Sequence, residues 1–165
     1  MAPLAFPNVK SDLFVLSESD LKRGLKASRE SPRLRMILPV HREQEADVQR
    51  LVNFLQPGSY IRAHLHPRDH ASESIVILQG SIRFFTFDDN GKILTDHVLT
   101  STPVPAVLDI EPGVWHTFLV LEEDTVLFES KKGPYDKEAD KTFASWAPEE
   151  GSGKAKVWMD RLSGH

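Results

Sequence analysis

The sequence contains no cysteine, which excludes disulfides and thiolate metal ligands and leaves only nitrogen and oxygen donors for any metal site. It also lacks an apolar run of the roughly 20 residues that a membrane-spanning helix needs. The N-terminal stretch has two prolines and no basic start followed by an apolar block, so it does not resemble a signal peptide. We therefore expect a cytoplasmic protein without a membrane partner.

An excess of positive charge is also missing. The formal net charge is −4, and acidic and basic residues are interspersed along the chain. Such a balance gives no general attraction to nucleic acid or to an anionic membrane surface. The expected partner is a small polar molecule.

What the chain does contain is a series of short apolar runs that alternate with polar residues, a period typical of β-strands. Turns separate these runs, and Asn90-Gly91 is a strong hairpin signal because both residue types tolerate positive φ. The pattern predicts an antiparallel sandwich or barrel in one domain of 165 residues. The predicted strands span 33–40, 59–66, 74–78, 81–87, 92–99, 106–110, 116–121 and 126–130.

The N-terminal third differs from the rest. Ser17 and Asp20 have the spacing of a capping box, so a short helix should begin there and end before Pro32. Apolar residues at helical spacing predict a second short helix, or a helix-like turn, over 46–55. The run 13–16 should pair as an edge strand or pack across a partner subunit, and covered sheet edges favour a homodimer.

These patterns divide one structural domain into three parts. We expect an N-terminal arm with short helices over 1–57, the β-barrel core over 58–130, and a C-terminal segment over 131–165. The C-terminal segment is rich in Lys, Glu, Gly and Asp. It should wrap the barrel and then fray, with a flexible stretch around Gly151.

Three histidines and one glutamate give the sequence its clearest chemical signal. His64 and His66 lie two residues apart in a predicted strand, so their imidazoles should share one face and bind one ion as a pair. Glu73 begins the next apolar run, and His116 follows a Pro-Gly turn. Buried charged groups need a partner or a metal, so we predict that these four side chains bind a metal ion.

The same stretches resemble the two sequence motifs of the cupin superfamily. Gly58 is followed by five residues, His64, one residue and His66, and Glu73 precedes Gly80 by the expected spacing. The interval between His66 and Glu73 is two or three residues longer than the motif. The second motif keeps its glycine-to-histidine spacing before His116, although its proline is shifted by one place and its asparagine is replaced by valine. The resemblance implies an all-β, antiparallel double-stranded β-helix, the jelly-roll barrel of cupins, with a short helical N-terminal segment.

A resemblance over nearly the whole chain is to the WbuC family of cupin-fold metalloproteins. It is carried by Asp47-Val-Gln-Arg-Leu-Val, Phe87-Asp-Asp-Asn-Gly, Gly113-Val-Trp-His, Gly133-Pro-Tyr-Asp and Phe143-Ala-Ser-Trp-Ala-Pro-Glu-Glu. This likeness implies a metal-binding protein of polysaccharide biosynthesis. A small sugar or nucleotide-sugar derivative is then the expected ligand.

The donor set suits a divalent transition metal, namely Fe, Mn, Ni, Co, Cu or Zn. In an octahedral ion it would leave two positions for water, substrate or dioxygen. His70 is an alternative ligand, because it lies near the place where the cupin motif has its acid. It would replace Glu73 or add to it. We favour Glu73, since its spacing to Gly80 fixes it on the next strand.

Several further side chains are candidates for ligand binding. Arg62 shares the predicted strand face with the histidines and would hold a carboxylate or phosphate, or pair with a nearby acid. Tyr60, Arg83 and Phe85 are expected to line the same cavity.

Aromatic residues and one acid complete the set of candidates. Trp115, Tyr135 and Trp146 would stack on a sugar ring, or pack in the core or in a dimer interface. Glu129 is a possible second carboxylate near the cavity, with a structural ion pair as the alternative.

Three functions fit these observations, and no catalytic residue is assigned. The first is a metal-dependent enzyme that performs isomerisation or epimerisation, or dioxygenation if the ion is iron. The second is a non-catalytic module that binds or senses a small ligand through its metal, and the third is a purely structural metal site. The serine-hydrolase elbow, the phosphate loop and the dinucleotide fingerprint are all absent from the sequence.

Overall fold

The computed structural model describes residues 3–67, 69 and 71–164, which form two helices and ten strands. The helices are α1 (Glu18–Glu30) and α2 (Gly153–Ser163). The strands are β1 (Arg35–Pro39), β2 (Val48–Leu55), β3 (His64–Leu65), β4 (Glu73–Gln79), β5 (Ser81–Phe87), β6 (Ile93–Thr100), β7 (Val107–Ile110), β8 (Trp115–Val120), β9 (Thr125–Lys132) and β10 (Thr142–Phe143).

The strands form two five-stranded sheets in which every pairing of named strands is antiparallel. The first sheet has the order β1-β2-β9-β4-β7, and the second has the order β10-β3-β8-β5-β6. The predicted all-β fold is confirmed. Among the described residues, however, no strand pairing joins the two sheets, so they face each other as a sandwich rather than closing into a continuous barrel.

Apolar side chains are buried in three layers. The layer between the sheets contains Leu55, Ile75, Ile77, Ile82, Phe84, Ile110, Val120 and Leu127. The outer face of the first sheet is covered by α1 and the N-terminal arm, with Leu38, Val40, Val52, Phe54 and Val126 at its centre. The outer face of the second sheet is covered by the C-terminal segment and α2, around Ala63, Phe85, Phe87, Leu119, Ala144, Ala147 and Leu162.

The predicted capping box and hairpin are both confirmed. The Ser17 hydroxyl accepts a hydrogen bond from the Asp20 amide, and the Asp20 carboxylate accepts one from the Ser17 amide, each at 3.2 Å. The hairpin between β5 and β6 turns at Asn90 and Gly91, where Gly91 has a φ of 83°. These local signals act within a few residues, so the sequence alone identifies them.

The predicted helix over 46–55 is wrong, because Val48–Leu55 forms β2. The error has a physical cause. β2 is buried on both faces: Leu51 and Leu55 point to the space between the sheets, while Val52 and Phe54 pack in the outer layer. A strand with two apolar faces loses its alternation and resembles a helix in sequence.

The two ends of the chain also differ from expectation. Residues 13–16 form no strand; Phe14 and Leu16 pack on the first sheet of their own chain, and Leu13 and Val15 are exposed. The tail expected to fray forms α2, which packs on the second sheet. The homodimer stays a prediction.

Neither helix of the described residues has the length and apolar character needed to cross a membrane.

The contact between α1 and the first sheet generates a test of the packing. Gly24 lies so close to Phe54 that a Cβ at this position would overlap the aromatic ring. Alanine normally stabilises a helix interior by about 1 kcal/mol relative to glycine. Here we expect Gly24→Ala to lower the free energy of unfolding by about 1–3 kcal/mol, because the buried ring has no room to move.

Chemical denaturation of Gly24→Ala and of the exposed control Lys26→Ala measures this effect. The control should change stability by less than about 0.5 kcal/mol. A Gly24→Ala protein more stable than wild type would show that the helix does not pack as described.

A second test concerns the ion pair that attaches the C-terminal segment to β1. The Glu150 carboxylate accepts hydrogen bonds from Arg35 at 2.9 Å and from Arg33 at 2.6 and 2.9 Å. Burial raises the pKa of Glu150, but the two guanidinium groups outweigh it, and the net pKa lies below its usual value. The resulting stabilisation is present above the unfolded-state pKa of about 4.3 and is lost as the pH falls through the lower folded-state pKa.

We expect Glu150→Gln to lower the free energy of unfolding at pH 7 by about 1 kcal/mol, since solvent partly screens this pair. The difference from wild type should shrink as the pH falls through the lowered folded-state pKa of Glu150, where the wild-type side chain also becomes uncharged. Denaturant titrations over a series of falling pH values measure it, with Glu149→Gln as the matched control because Glu149 is exposed. An equal loss in both variants would contradict the assignment.

Candidate metal centre

The four predicted donors converge at one end of the space between the sheets. His64 lies in β3 and is the cross-strand partner of His116 in β8, so these two imidazoles come from the second sheet. Glu73 is the first residue of β4 in the first sheet, and His66 follows β3 directly. The site therefore bridges the two sheets.

A turn keeps the two histidine segments together. Gly113 has a φ of 81°, a left-handed conformation that favours glycine, and its amide donates a hydrogen bond of 3.0 Å to the His66 carbonyl. The Phe84 ring then stacks on His116, with 5.7 Å between ring centroids and 18° between planes. Together these contacts fix the direction in which the His116 imidazole points.

The side chains of the four residues are close together and buried. His64, His66, Glu73 and His116 each expose 4% or less of their surface. The Nε2 atoms of His66 and His116 lie 3.3 and 3.2 Å from Oε2 of Glu73. One donor atom from each of the four residues lies within 4.8 Å of all the others.

Backbone carbonyls orient the three imidazoles. The Nδ1 atoms of His64, His66 and His116 lie 2.9, 2.7 and 2.8 Å from the carbonyl oxygens of Arg62, Asp140 and Val114. A protonated Nδ1 donates to each carbonyl and leaves Nε2 as an unprotonated donor for a metal.

Electrostatics favours a neutral imidazole beside an ionised acid. Burial lowers the pKa of His64 well below its usual value, and the Lys141 ammonium lowers it further. Burial alone would raise the pKa of Glu73, but contacts with His116 and His66 outweigh it and hold the pKa well below its usual range. These are the protonation states that metal ligands need.

The donors fit a metal ion by chemistry and by spacing. The buried Nε2 atoms of His66 and His116 have no hydrogen-bond partner among the described residues, although their contact with Glu73 is short. An unpartnered buried nitrogen is costly. Ligands at about 2.1 Å from one ion lie about 3–3.4 Å apart, which matches the two contacts with Glu73. The group can hold a metal ion.

A cavity of about 530 Å³ extends from this centre between the sheets. His64, Glu73 and His116 form part of its wall. Such a volume is typical of sites for small molecules. The centre is therefore not closed off by protein on all sides.

The cavity wall also carries a charged network from β9 and the C-terminal segment. Lys131 donates a hydrogen bond of 2.7 Å to the Asp140 carboxylate, and its Nζ lies 3.9 Å from Glu129. Asn53 donates to Glu129 at 3.1 Å. Burial and the negative charge of Glu73 raise the pKa of Glu129 to about 7. Glu129 thus has both roles considered from the sequence, a cavity carboxyl and a partner of a lysine.

Arg62, expected on the same strand face as the histidines, does not line the cavity. Only His64 and Leu65 pair as a strand, and in the irregular stretch before them Ile61 faces the cavity instead. The Arg62 guanidinium donates to the Ala144 carbonyl at 2.8 Å and lies over the Phe143 ring. It also lies 4.0 Å from the Glu149 carboxylate, which agrees with the alternative of an ion pair with a nearby acid. Side chains alternate between the two faces of a strand only where strand pairing holds the backbone extended, and here that pairing begins at His64.

Tyr60 and Arg83 are likewise outside the cavity wall. The Tyr60 hydroxyl donates to the Pro148 carbonyl at 2.6 Å beneath the C-terminal segment. Arg83 points away from the space between the sheets, pairs with Asp96 at 2.5 Å and stacks over Phe85. In β5 it is the alternate residues that face inward, since Phe84 packs between the sheets.

Of the aromatic candidates, two pack outside the cavity and one lies in its wall. Trp115 packs against Trp146 in the outer layer of the second sheet, and its indole donates to Asp89 at 3.0 Å. Tyr135 lies in the cavity wall and is 47% exposed. Of the three, only Tyr135 is positioned to contact a molecule in the cavity.

His70 lies outside the described residues, so its predicted part in the site stays a prediction. Among the polar cavity residues that the sequence analysis missed are Lys131, Asp140 and Lys141. Lys131 could have been found, because it follows Glu129 by two residues on a strand and shares its face. Asp140 and Lys141 lie in a segment without periodicity and gave no signal.

The family comparison matches residues 16–99, half of the chain, to a model described as "Domain of unknown function (DUF6016)". The chain belongs to this family. The DUF6016 match includes three of the four donors, and His116 lies beyond it. No curated protein matches the sequence.

Comparison with solved structures shows the fold. Oxalate decarboxylase from Bacillus subtilis superposes with a TM-score of 0.52 at 16% identity, over 78% of this chain and 32% of its own. An oxalate oxidase in complex with the substrate analogue glycolate superposes with a TM-score of 0.53 at 16% identity, over 81% of this chain and 67% of its own. The chain thus spans about a third of the decarboxylase and two thirds of the oxidase. These are cupin-fold proteins, so the predicted cupin fold is confirmed.

A third structure, the capsular polysaccharide assembling protein CapF from Staphylococcus aureus, gives a TM-score of 0.49 over 58% of this chain and 26% of its own, at 21% identity. Such a likeness supports no inference about activity. The WbuC resemblance and the role in polysaccharide biosynthesis stay predictions.

The unpartnered imidazoles predict a metal-dependent gain in stability. At an ion concentration of 100 times Kd, bound Co(II) or Zn(II) should raise the free energy of unfolding of the wild type by about 2.7 kcal/mol. His116→Ala should abolish this gain. Unfolding with and without the ion, together with metal analysis of untagged protein, measures the effect.

His97→Ala is the matched control, because His97 is an exposed histidine on β6. The control should keep both the bound metal and the gain in stability. An equal gain in His116→Ala and wild type would place the ion elsewhere.

Proposed function

We propose that this DUF6016 protein is a metal-dependent cupin enzyme whose four-donor centre binds a divalent transition-metal ion and whose cavity receives a small polar molecule. One observation carries the proposal. Two buried imidazole nitrogens lack hydrogen-bond partners beside an ionised carboxylate, in the wall of a cavity large enough for a small molecule. The resemblance to the WbuC family supports a sugar or nucleotide-sugar derivative as the substrate class.

The cavity favours this proposal over a structural metal site. A structural site is normally closed by its protein ligands, whereas a catalytic site keeps a position open to substrate. Here three of the four donors border free volume. A bound ion would supply Lewis-acid chemistry, which polarises a carbonyl or hydroxyl group of the substrate.

The protein's own residues would perform the remaining tasks. The three carbonyls that accept from Nδ1 hold the imidazoles in one orientation, so the ligands need no rearrangement. Ile61, Ile75 and Phe118 give the cavity apolar walls that exclude water around the bound molecule. Glu129, held by Asn53, is placed to accept or donate a proton through its carboxyl group. This arrangement supports isomerisation or epimerisation, which require proton transfer.

The alternative function is a non-catalytic module that binds or senses the same kind of molecule through its metal. The cavity supports this alternative equally, because binding alone needs an open position and no proton transfer. The two functions differ in what they require of Glu129.

A Co(II)-loaded protein tests the open position, since the visible spectrum of Co(II) responds to a change of ligands. Titration with a panel of sugar phosphates, sugar acids and nucleotide sugars should alter the spectrum for at least one compound. A four-coordinate spectrum that no compound changes would indicate a structural site and would defeat the proposal.

Turnover of the compound found in this way tests the enzyme assignment. Glu129→Gln should lower kcat about 10²-fold or more while the compound still binds, because the amide cannot transfer the proton. The matched control is Glu123→Gln, an exposed glutamate in the turn before β9. Binding without turnover in the wild type would favour the sensing module, and an unchanged kcat in Glu129→Gln would remove this residue from the reaction.

A further inference from the structure

Lys141 is a cavity cation whose ammonium group has no partner in the part of the chain that the structure describes. It lies in the wall of the cavity together with His64 and Glu73, and it is half-buried. Among the described residues it makes neither an ion pair nor a hydrogen bond through its ammonium group. An ammonium group held partly out of water without a partner is unfavourable.

The other cations of the cavity wall are either paired or exposed to solvent. Lys131 donates to Asp140 at 2.7 Å, Arg35 and Arg33 share the Glu150 carboxylate, and Lys137 is exposed. Lys141 therefore combines two properties: it is partly buried, and no carboxylate of the described residues lies within ion-pair distance of its ammonium group.

The backbone on both sides of Lys141 is fixed to the metal centre. The Asp140 carbonyl accepts from the His66 imidazole at 2.7 Å, and Thr142 pairs with Leu65 in the β10–β3 ladder. Lys141 thus occupies one place relative to the histidines.

The charge balance around the centre favours an anion. A divalent ion with three neutral imidazoles and the Glu73 carboxylate retains net positive charge. Lys131 and Asp140 cancel each other. Lys141 adds a further positive charge that an ionised Glu129 would at most balance, so the region stays positive once the metal ion is bound. A bound molecule with a negative group would neutralise this excess in a region of low water content.

We propose that the molecule bound at this centre carries a carboxylate or phosphate group and that Lys141 is the residue that pairs with it. The inference rests on the proposed function, because it takes the metal-loaded centre as the binding site. Lys141 then has the anion-binding role that was one of the two alternatives for Arg62, whose guanidinium instead contacts the C-terminal segment.

The test measures affinity for defined small probes in the full-length Co(II)-loaded protein. Glycolate and ethylene glycol differ in one carboxylate, and inorganic phosphate supplies the other candidate anion. We expect the wild type to bind glycolate, phosphate or both at least tenfold more tightly than ethylene glycol, as followed in the visible spectrum. The preferred anion identifies which group the cavity accepts.

Substitution of Lys141 should change anion affinity and leave the metal bound. Lys141→Gln should weaken binding of the preferred anion about tenfold to a hundredfold, the range for a hydrogen bond to a charged group, and leave ethylene glycol unchanged. Lys141→Arg should recover most of the affinity. Lys92→Gln is the control, because Lys92 is an exposed residue of the β5–β6 hairpin.

Each outcome distinguishes this inference from the proposal on which it rests. A wild type that takes up no Co(II) would refute the proposed function. A wild type that takes up Co(II) but binds ethylene glycol as tightly as the anions, or binds no probe, would refute the role of charge. Wild-type anion affinity in Lys141→Gln would refute the role of Lys141. If Lys141→Gln fails to fold, two measurements still test the inference. The wild type must prefer the anions to ethylene glycol, and Lys141→Arg must keep most of the anion affinity.

Discussion

The candidate metal centre depends on one constraint: buried imidazoles and a carboxylate share one small space and need a common partner. Each Nδ1 atom is satisfied by a backbone carbonyl, so the unpartnered Nε2 atoms of His66 and His116 lie on the inner side, within 3.3 Å of the Glu73 oxygen. Protein interiors rarely tolerate unpartnered polar atoms. The cupin sandwich brings such atoms together at the end of a well-packed core, which is a cost to folding that a bound cation would remove.

The arrangement of layers explains how the fold remains stable despite these buried polar atoms. Part of each sheet is buried on both faces, since α1 covers the central strands of the first sheet and the C-terminal segment with α2 covers part of the second. The added apolar burial lies away from the centre, where side chains such as Phe54 and Phe85 are fully buried. The interior between the sheets can therefore contain a polar cavity without depending on that cavity for stability.

Sequence reasoning succeeded where the determining interactions are local or where a spacing has one structural meaning. The capping box at Ser17, the hairpin at Gly91 and most strands of the second half were predicted because neighbouring residues decide them. The donors could be named because histidines two residues apart on a strand share a face. Arg62 was misplaced because the alternation ends at β3, and Val48–Leu55 was taken for a helix because two buried faces hide a strand period. Both errors depend on contacts with distant segments, which no local pattern encodes.

The same argument shows why the C-terminal segment belongs to the functional unit. The Asp140 carbonyl orients His66 while its carboxylate holds Lys131, so one residue links an imidazole of the second sheet to the charged network of the first. This residue lies beyond the stretch that the DUF6016 model matches, as does His116. The matched part of the chain thus supplies the paired histidines and the acid. The third imidazole and the contacts that set orientation and charge come from the part that follows. Chemistry at this centre is a property of the whole sandwich, and relatives that keep the paired histidines can differ in what they bind if the C-terminal segment differs.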